Sequence, residues 1–148
     1  MKDTLAHAPN GIGLAASQIG VSLRLFLVSE EARAIDAGEV DEDGPRPKKK
    51  WAYFVFINPV LIKQSRKRIE LAEGCLSVPV KFGIVPRPEK VSLAWFDESG
   101  RKHSRGFTKF FARVVQHELD HLDGLLITDR AKRLIRATEQ KSPAPGQG

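Results

Sequence analysis

His117-Glu118-Leu119-Asp120-His121 sets two imidazoles four residues apart, with a carboxylate beside the first. On an α-helix four residues turn the chain through about 400° and rise about 6 Å, so both rings leave one face and can grip a single metal ion. Glu118 lies about 100° around the helix from His117, placed to address a water rather than to act as a ligand. Metal-assisted hydrolysis is the chemistry that this spacing suits.

The surrounding residues supply the helix that the pair needs. TKFFARVVQHELDHLDG, from Thr108, has Thr108 as its expected N-cap and Gly124 just past its C-terminal end. Phe110, Val114, His117 and His121 recur at i, i+4, i+7 and i+11 on one face, while Lys109, Arg113, Gln116, Asp120 and Asp123 fall on another. The histidines are therefore expected to point inward.

Two histidines leave an ion short of ligands, because a catalytic site of the zinc type commonly takes three from the protein and keeps one position open. The candidates are Cys75, His7, His103 and the acidic residues after the helix. A third histidine in the pattern HExxHxxGxxH fails: Gly124 is in place, but Ile127 stands where the last histidine would be. Asp129 follows Gly124 too soon to sit on a separate helix, and Glu139 lies in a polar tail. Cys75, in Glu73-Gly74-Cys75-Leu76-Ser77 just after an expected strand, is the strongest of them, since a thiolate is a strong ligand for borderline and soft metals.

The 148 residues suit one domain, and no apolar run reaches the length of a membrane span. A single cysteine excludes an intramolecular disulfide and agrees with a reducing compartment. Net charge is +6 with a pI near 9.7. Its positive clusters (Lys48 to Lys50, Lys63 to Arg68, Lys132 to Arg136) lack interleaved aromatic residues, so direct DNA binding is not expected, although attraction to a large polyanion such as a ribosome is compatible with them.

Strand signals precede the helix: LRLFLV from Leu23, WAYFVFI from Trp51, VLIKQ after Asn58-Pro59, RIEL from Arg68, and a hairpin of Val91 to Phe96 and Lys102 to Phe107 around Asp97 to Gly100. That order predicts an α+β domain, mainly antiparallel sheet packed around a central metal-binding HExxH helix. The domain is expected over residues 1–136, with a mobile polar surface insertion at about 30–50 and a disordered tail at 137–148.

Gly11-Ile12-Gly13-Leu14-Ala15-Ala16-Ser17-Gln18, Glu73-Gly74-Cys75-Leu76-Ser77 and Gln116-His117-Glu118-Leu119-Asp120-His121 together resemble, in order, the three motifs of the peptide deformylases. The resemblance covers most of residues 3–130, and the chain starts short of the usual N-terminal segment of that family. It implies removal of the formyl group from the N-terminal formylmethionine of new proteins. Cys75, His117 and His121 would hold one divalent ion, iron(II) in the cell and replaceable by zinc, nickel or cobalt. Glu118 would be the acid and base, with the Gln18 amide and the Leu76 N–H as oxyanion donors. Gly11, Ile12, Gly13, Leu14, Glu73 and Gly74 would border the substrate, and Leu71, Phe110 and Val114, with Ile12, would line a pocket for the methionine side chain. N-formylmethionyl peptides are the expected partners, with the ribosome near its exit tunnel as another, for a monomer in the cytoplasm or in an organelle of bacterial origin. Two other readings compete: an HExxH endopeptidase with a different third ligand, and an inactive deformylase-like module that binds ribosomes or peptides.

Overall fold

Alternating apolar residues build the first sheet. In β2 (Leu25–Ser29) and β3 (Tyr53–Gln64) they bring Phe26 opposite Phe56, whose rings stack with centroids 4.7 Å apart. The computed structural model describes residues 12–40, 51–75, 78–125 and 127–136. Over these, β1 (Gly13–Ala15), β2, β3, β6 (Val91–Phe96) and β7 (Lys102–Phe107) form an antiparallel five-stranded sheet in the order β1-β2-β3-β6-β7. β4 (Arg68–Cys75), β5 (Val78–Pro88) and β8 (Arg133–Arg136) form a second antiparallel sheet, β4-β5-β8. The helices are α1 (Glu31–Asp36), α2 (Lys109–Leu122) and the single turn α3 (Ile127–Arg130), and Ala16–Ile19 makes a 3-10 turn. This is the α+β, mainly antiparallel architecture expected from the order of the elements.

The helix α2 packs its apolar stripe on the five-stranded sheet. Phe111, Ala112, Val114 and Val115 join Ile12, Ala15, Phe26, Val28, Phe56, Leu93 and Phe107 in one core, and the rings of Phe107 and Phe111 stack at 4.9 Å. Each fully buried aliphatic or aromatic side chain contributes roughly 1.5–3 kcal/mol, so this contact is what holds the helix to the sheet. Gly124 ends the helix as expected. With φ +78° it permits the Gly124 N–H to reach the carbonyl of His121 (3.1 Å) and the Leu125 N–H that of Asp120 (2.8 Å), a paired C-terminal closure.

The start of α2 corrects an expectation. Thr108 occupies the N-cap position, but its side chain makes no cap hydrogen bond. Lys109 enters the helix with φ +56°, and Asp36 at the end of α1 accepts the N–H groups of Phe110 and Phe111 instead, at 3.0 and 3.1 Å. The segment expected to be a mobile insertion thus contributes a helix, with Ala32 and Ala34 buried, and a capping carboxylate; its remainder at 41–50 and the tail at 137–148 lie outside the described residues.

Three further strand features were not anticipated. Asn58-Pro59 does not separate two strands: β3 runs on through a register shift between Ile57 and Val60, with Asn58 at φ +49° supplying the local kink. β5 carries Pro79, Pro86 and Pro88, which argue against a strand, yet β8 pairs only with Lys81 to Ile84 and leaves Pro86 and Pro88 paired on one side alone. That is where a sheet tolerates a missing N–H. The basic run at 133–136 is itself the short strand β8.

Candidate metal centre and active site

The spacing of His117 and His121 on α2 does what a helix dictates. Their Nε2 atoms face each other at 3.0 Å, with the rings edge to face, inside a partly buried site. Two imidazole nitrogens this close can both reach one ion at the usual distance of about 2.1 Å. The other nitrogen of His117, Nδ1, lies 3.0 Å from Oε1 of Glu73 on β4. A carboxylate there accepts a hydrogen bond from Nδ1–H, which leaves the Nε2 lone pair directed at the site and raises its basicity. The geometry therefore fits a divalent ion on independent grounds: converging nitrogens, and a ring whose tautomer is set from behind.

Glu73 was expected to border the substrate. Its carboxylate is instead 6% exposed and engaged on both oxygens inside an ion cluster. Arg87 on β5 donates to it twice, from Nε at 2.6 Å and Nη2 at 2.8 Å, and Arg113 on α2 donates to its Oε2. Arg87 also donates to Asp120 at 2.9 Å, and Arg130 pairs with the same oxygen of Asp120 at 2.6 Å. Burial by itself would push the Glu73 carboxyl up. The hydrogen bond from His117, followed by the bond and charge of Arg87, outweighs burial and brings the pKa down to about 2. Burial likewise disfavours the Arg87 charge, and the Glu73 and Asp120 carboxylates more than reverse it, so its pKa is raised.

The polar face of α2 is accordingly not a solvated one. Arg113, Gln116 and Asp120 are buried, each with partners on the β4-β5 sheet or its flanks: Arg113 Nη2 donates to the Ile69 carbonyl (2.5 Å) and Gln116 Nε2 to that of Pro88 (2.9 Å). Polar groups that bridge helix to sheet in this way satisfy the edge that hydrophobic contacts leave open. Sequence reasoning missed Arg87 and Arg113; a signal was available in an arginine one turn before His117.

Cys75 closes β4, two residues beyond Glu73, and a register irregularity separates Gly74 from Cys75. Leu76 and Gly11 lie outside the described residues. Glu118 is buried in α2 with its carboxylate against β1 at Gly13. Gln18, in the 3-10 turn, accepts the Ala15 N–H on Oε1 at 2.8 Å, which makes its NH2 the end able to donate elsewhere. Ser17 ties the same turn to α2 through its hydroxyl and the His121 carbonyl, 3.1 Å apart.

Of the expected pocket residues, Ile12 and Val114 are buried in one cluster with Phe110 packed against it, and Leu71 on β4 is 40% exposed. Leu14 does not join them. Its side chain is buried with Leu27, Tyr53 and Val55 on the other face of the sheet, because neighbours along a strand point to opposite sides. Gly74 is half-buried beside Glu73. A cleft of about 530 Å³ is lined by Arg87, Asp120 and Arg130 of the ion cluster together with Arg24 and Asp123, and another of about 440 Å³ by residues that include Phe54 and Trp95; neither is lined by His117, Glu118 or His121.

An α+β domain whose buried helix presents two convergent imidazoles, an adjacent glutamate and a carboxylate behind one ring has the layout of a metallohydrolase. The comparisons narrow that class. The family model described as polypeptide deformylase matches residues 1–137. Peptide deformylase 3 of Streptomyces avermitilis is 42% identical over 127 residues, covering 85% of this chain and 54% of that protein. The peptide deformylase of Chlorobaculum parvum is 40% identical over 142 residues, 96% of this chain and 68% of that one. Among solved structures, the peptide deformylase of Thermotoga maritima superposes with a TM-score of 0.71 at 32% identity, over 90% of this chain and 77% of that one. That of Synechococcus elongatus in complex with actinonin gives 0.68 at 35% identity, over 84% and 60%. This chain belongs to the polypeptide deformylase family.

Proposed function

We propose that this chain is a metal-dependent amidase that removes the formyl group from N-formylmethionyl peptides, releasing formate. The observation that carries this reading is the pair of Nε2 atoms 3.0 Å apart with Glu73 fixing the tautomer of His117, since such a site is built to hold an ion with an open position. Cys75 completes the ligand set by its place in the Glu-Gly-Cys-Leu-Ser motif. Cys75, His117 and His121 would hold the divalent ion, which would supply the acidity that makes hydroxide available from water near pH ~7. Iron(II) is the ion expected in the cell, and zinc, nickel or cobalt suit the same cysteine and histidine donors.

The residues of the chain do the rest. Glu118, shielded from bulk solvent, accepts a proton from the attacking water and passes it to the departing amine. The Gln18 amide, with its carbonyl held by Ala15, and the Leu76 N–H receive the charge that develops on the formyl oxygen. Ile12, Leu71, Phe110 and Val114 accommodate the methionine side chain. Membership of the polypeptide deformylase family supports action on a small acyl group at a chain terminus rather than on internal peptide bonds. The enzyme works as a monomer in the cytoplasm or an organelle of bacterial origin, and its positive charge favours approach to the ribosome near its exit tunnel. No helix among the described residues is long and apolar enough to cross a membrane.

Metal-loaded protein is expected to release formate from a formyl-Met peptide and to leave internal bonds of an unformylated peptide intact. Glu118→Gln should retain the metal while kcat falls by about 10²- to 10⁴-fold, the usual span for a general acid and base. Cleavage of internal bonds without formate release would replace this reading with that of an endopeptidase. Ribosome binding with no turnover would replace it with that of a binding module.

A further inference from the structure

We infer that Gly13 is a positioning residue for Glu118: the absence of a side chain at this point of β1 is what sets where the Glu118 carboxylate stands. A methyl group built on Gly13 would lie 2.7 Å from Oε2 of Glu118, 3.0 Å from Cδ and 3.1 Å from Cγ, distances at which something must move. Gly13 is not glycine for its backbone conformation. Among the described residues the glycines with positive φ are Gly20, Gly38, Gly100 and Gly124, while Gly13 sits within a strand, paired with Val28. A glycine inside a strand weakens it, so its presence calls for close approach by another group, and here that group is the buried carboxylate. The constraint acts at one end of a 3% exposed side chain whose other end is anchored in α2, so any residue larger than glycine displaces the carboxylate.

The inference rests on the proposed role of Glu118 and assigns Gly13 a duty toward the enzyme's own acid and base, where bare backbone would otherwise suggest only access for substrate. Ala15, two residues along the same strand, holds Gln18 through its N–H, so one short stretch of β1 and the turn after it aligns two separate groups.

A cycle of Gly13→Ala, Glu118→Ala and the double variant tests this in the metal-loaded full chain with a formyl-Met peptide. Gly13→Ala is expected to lower kcat roughly 10- to 100-fold, as displacement of a reacting group by about 1 Å does, with KM and metal content within about twofold of the parent. In the Glu118→Ala background, which removes Cγ, Cδ and Oε2 of Glu118, the same substitution should change the residual kcat by less than about twofold. A rise in KM at constant kcat would assign Gly13 to the path of the substrate and overturn the inference, as would an equal loss of kcat in both backgrounds. Thermal unfolding of the four proteins without metal supplies a readout independent of turnover. Gly13→Ala should lower Tm with Glu118 in place, and in the Glu118→Ala background it should leave Tm equal or higher, since a strand is weakened by glycine; an equal drop in both backgrounds overturns the contact. That cycle is read even where no formate is released, so a failure of the proposed reaction and a failure of this contact give different results.

Discussion

Replacing Glu73 by alanine probes the site and the fold together. Three donors converge on this one carboxylate: Arg87, Arg113 and Nδ1 of His117. Arg87 is 4% exposed and would retain only Asp120, so the substitution leaves buried positive charge short of a counterion. Removing one partner of a buried pair costs about 3–5 kcal/mol. The pH behaviour gives a similar magnitude. With the Glu73 pKa lowered from 4.5 to about 2, linkage assigns its ionised form on the order of 3 kcal/mol of stability. Because the folded-state pKa lies below the unfolded one, this contribution is fully present above about pH 4.5 and is lost as pH falls through about 2. For a domain of this size 1 kcal/mol moves Tm by about 2–4 °C, so Glu73→Ala should unfold roughly 10 °C below the parent at neutral pH. Its stability should also change less than the parent's between pH 4.5 and 2. Zinc affinity should fall by about 10- to 100-fold, since His117 loses the acceptor that sets its tautomer. Thermal melts of metal-free protein and competitive zinc titration measure the two effects separately. A variant that melts within about 1–2 °C of the parent, by the same scaling, and binds zinc equally well would refute the reasoning about this cluster.

Two other substitutions test separate parts of the structure. Asp36→Ala removes the acceptor of the Phe110 and Phe111 N–H groups, and should lower stability by about 1–2 kcal/mol in a denaturant titration; no change would mean that Thr108 can take over the cap. Cys75→Ser exchanges a soft thiolate for a poor hydroxyl ligand, so metal affinity and formate release should fall together, and undiminished metal binding would remove Cys75 from the ligand set.

Chemistry confined to one element was legible in the chain. The spacing of His117, Glu118 and His121 carries its own geometry once the segment is helical, and the run from Thr108 to Gly124 fixes that helix by periodicity and a left-handed terminating glycine. The hairpin around Asp97 to Gly100 was legible for the same reason, since the turn and both strands lie within a few residues of one another. Strand β5 was not, because its prolines are unfavourable locally and tolerated only where β8 leaves them unpaired. Leu14 shows a subtler limit: alternation says that Leu14 and its neighbours face opposite ways, but only the sheet says which way is inward.

By itself the sequence determined the pair of histidines on one helical face, the glutamate beside them, the order of strands before helix, and hence the expectation of metal-assisted hydrolysis on an α+β frame. These follow from rotation and rise per residue, quantities that a local stretch of chain cannot escape. The tertiary structure alone decided that Glu73 stands behind His117, 44 residues away, that Asp36 caps α2 from 74 residues away, and that Gly13 yields its space to Glu118. Such contacts depend on which strands become neighbours and in what register. Burial of the whole core selects that arrangement, and the residues in contact do not announce it in the chain.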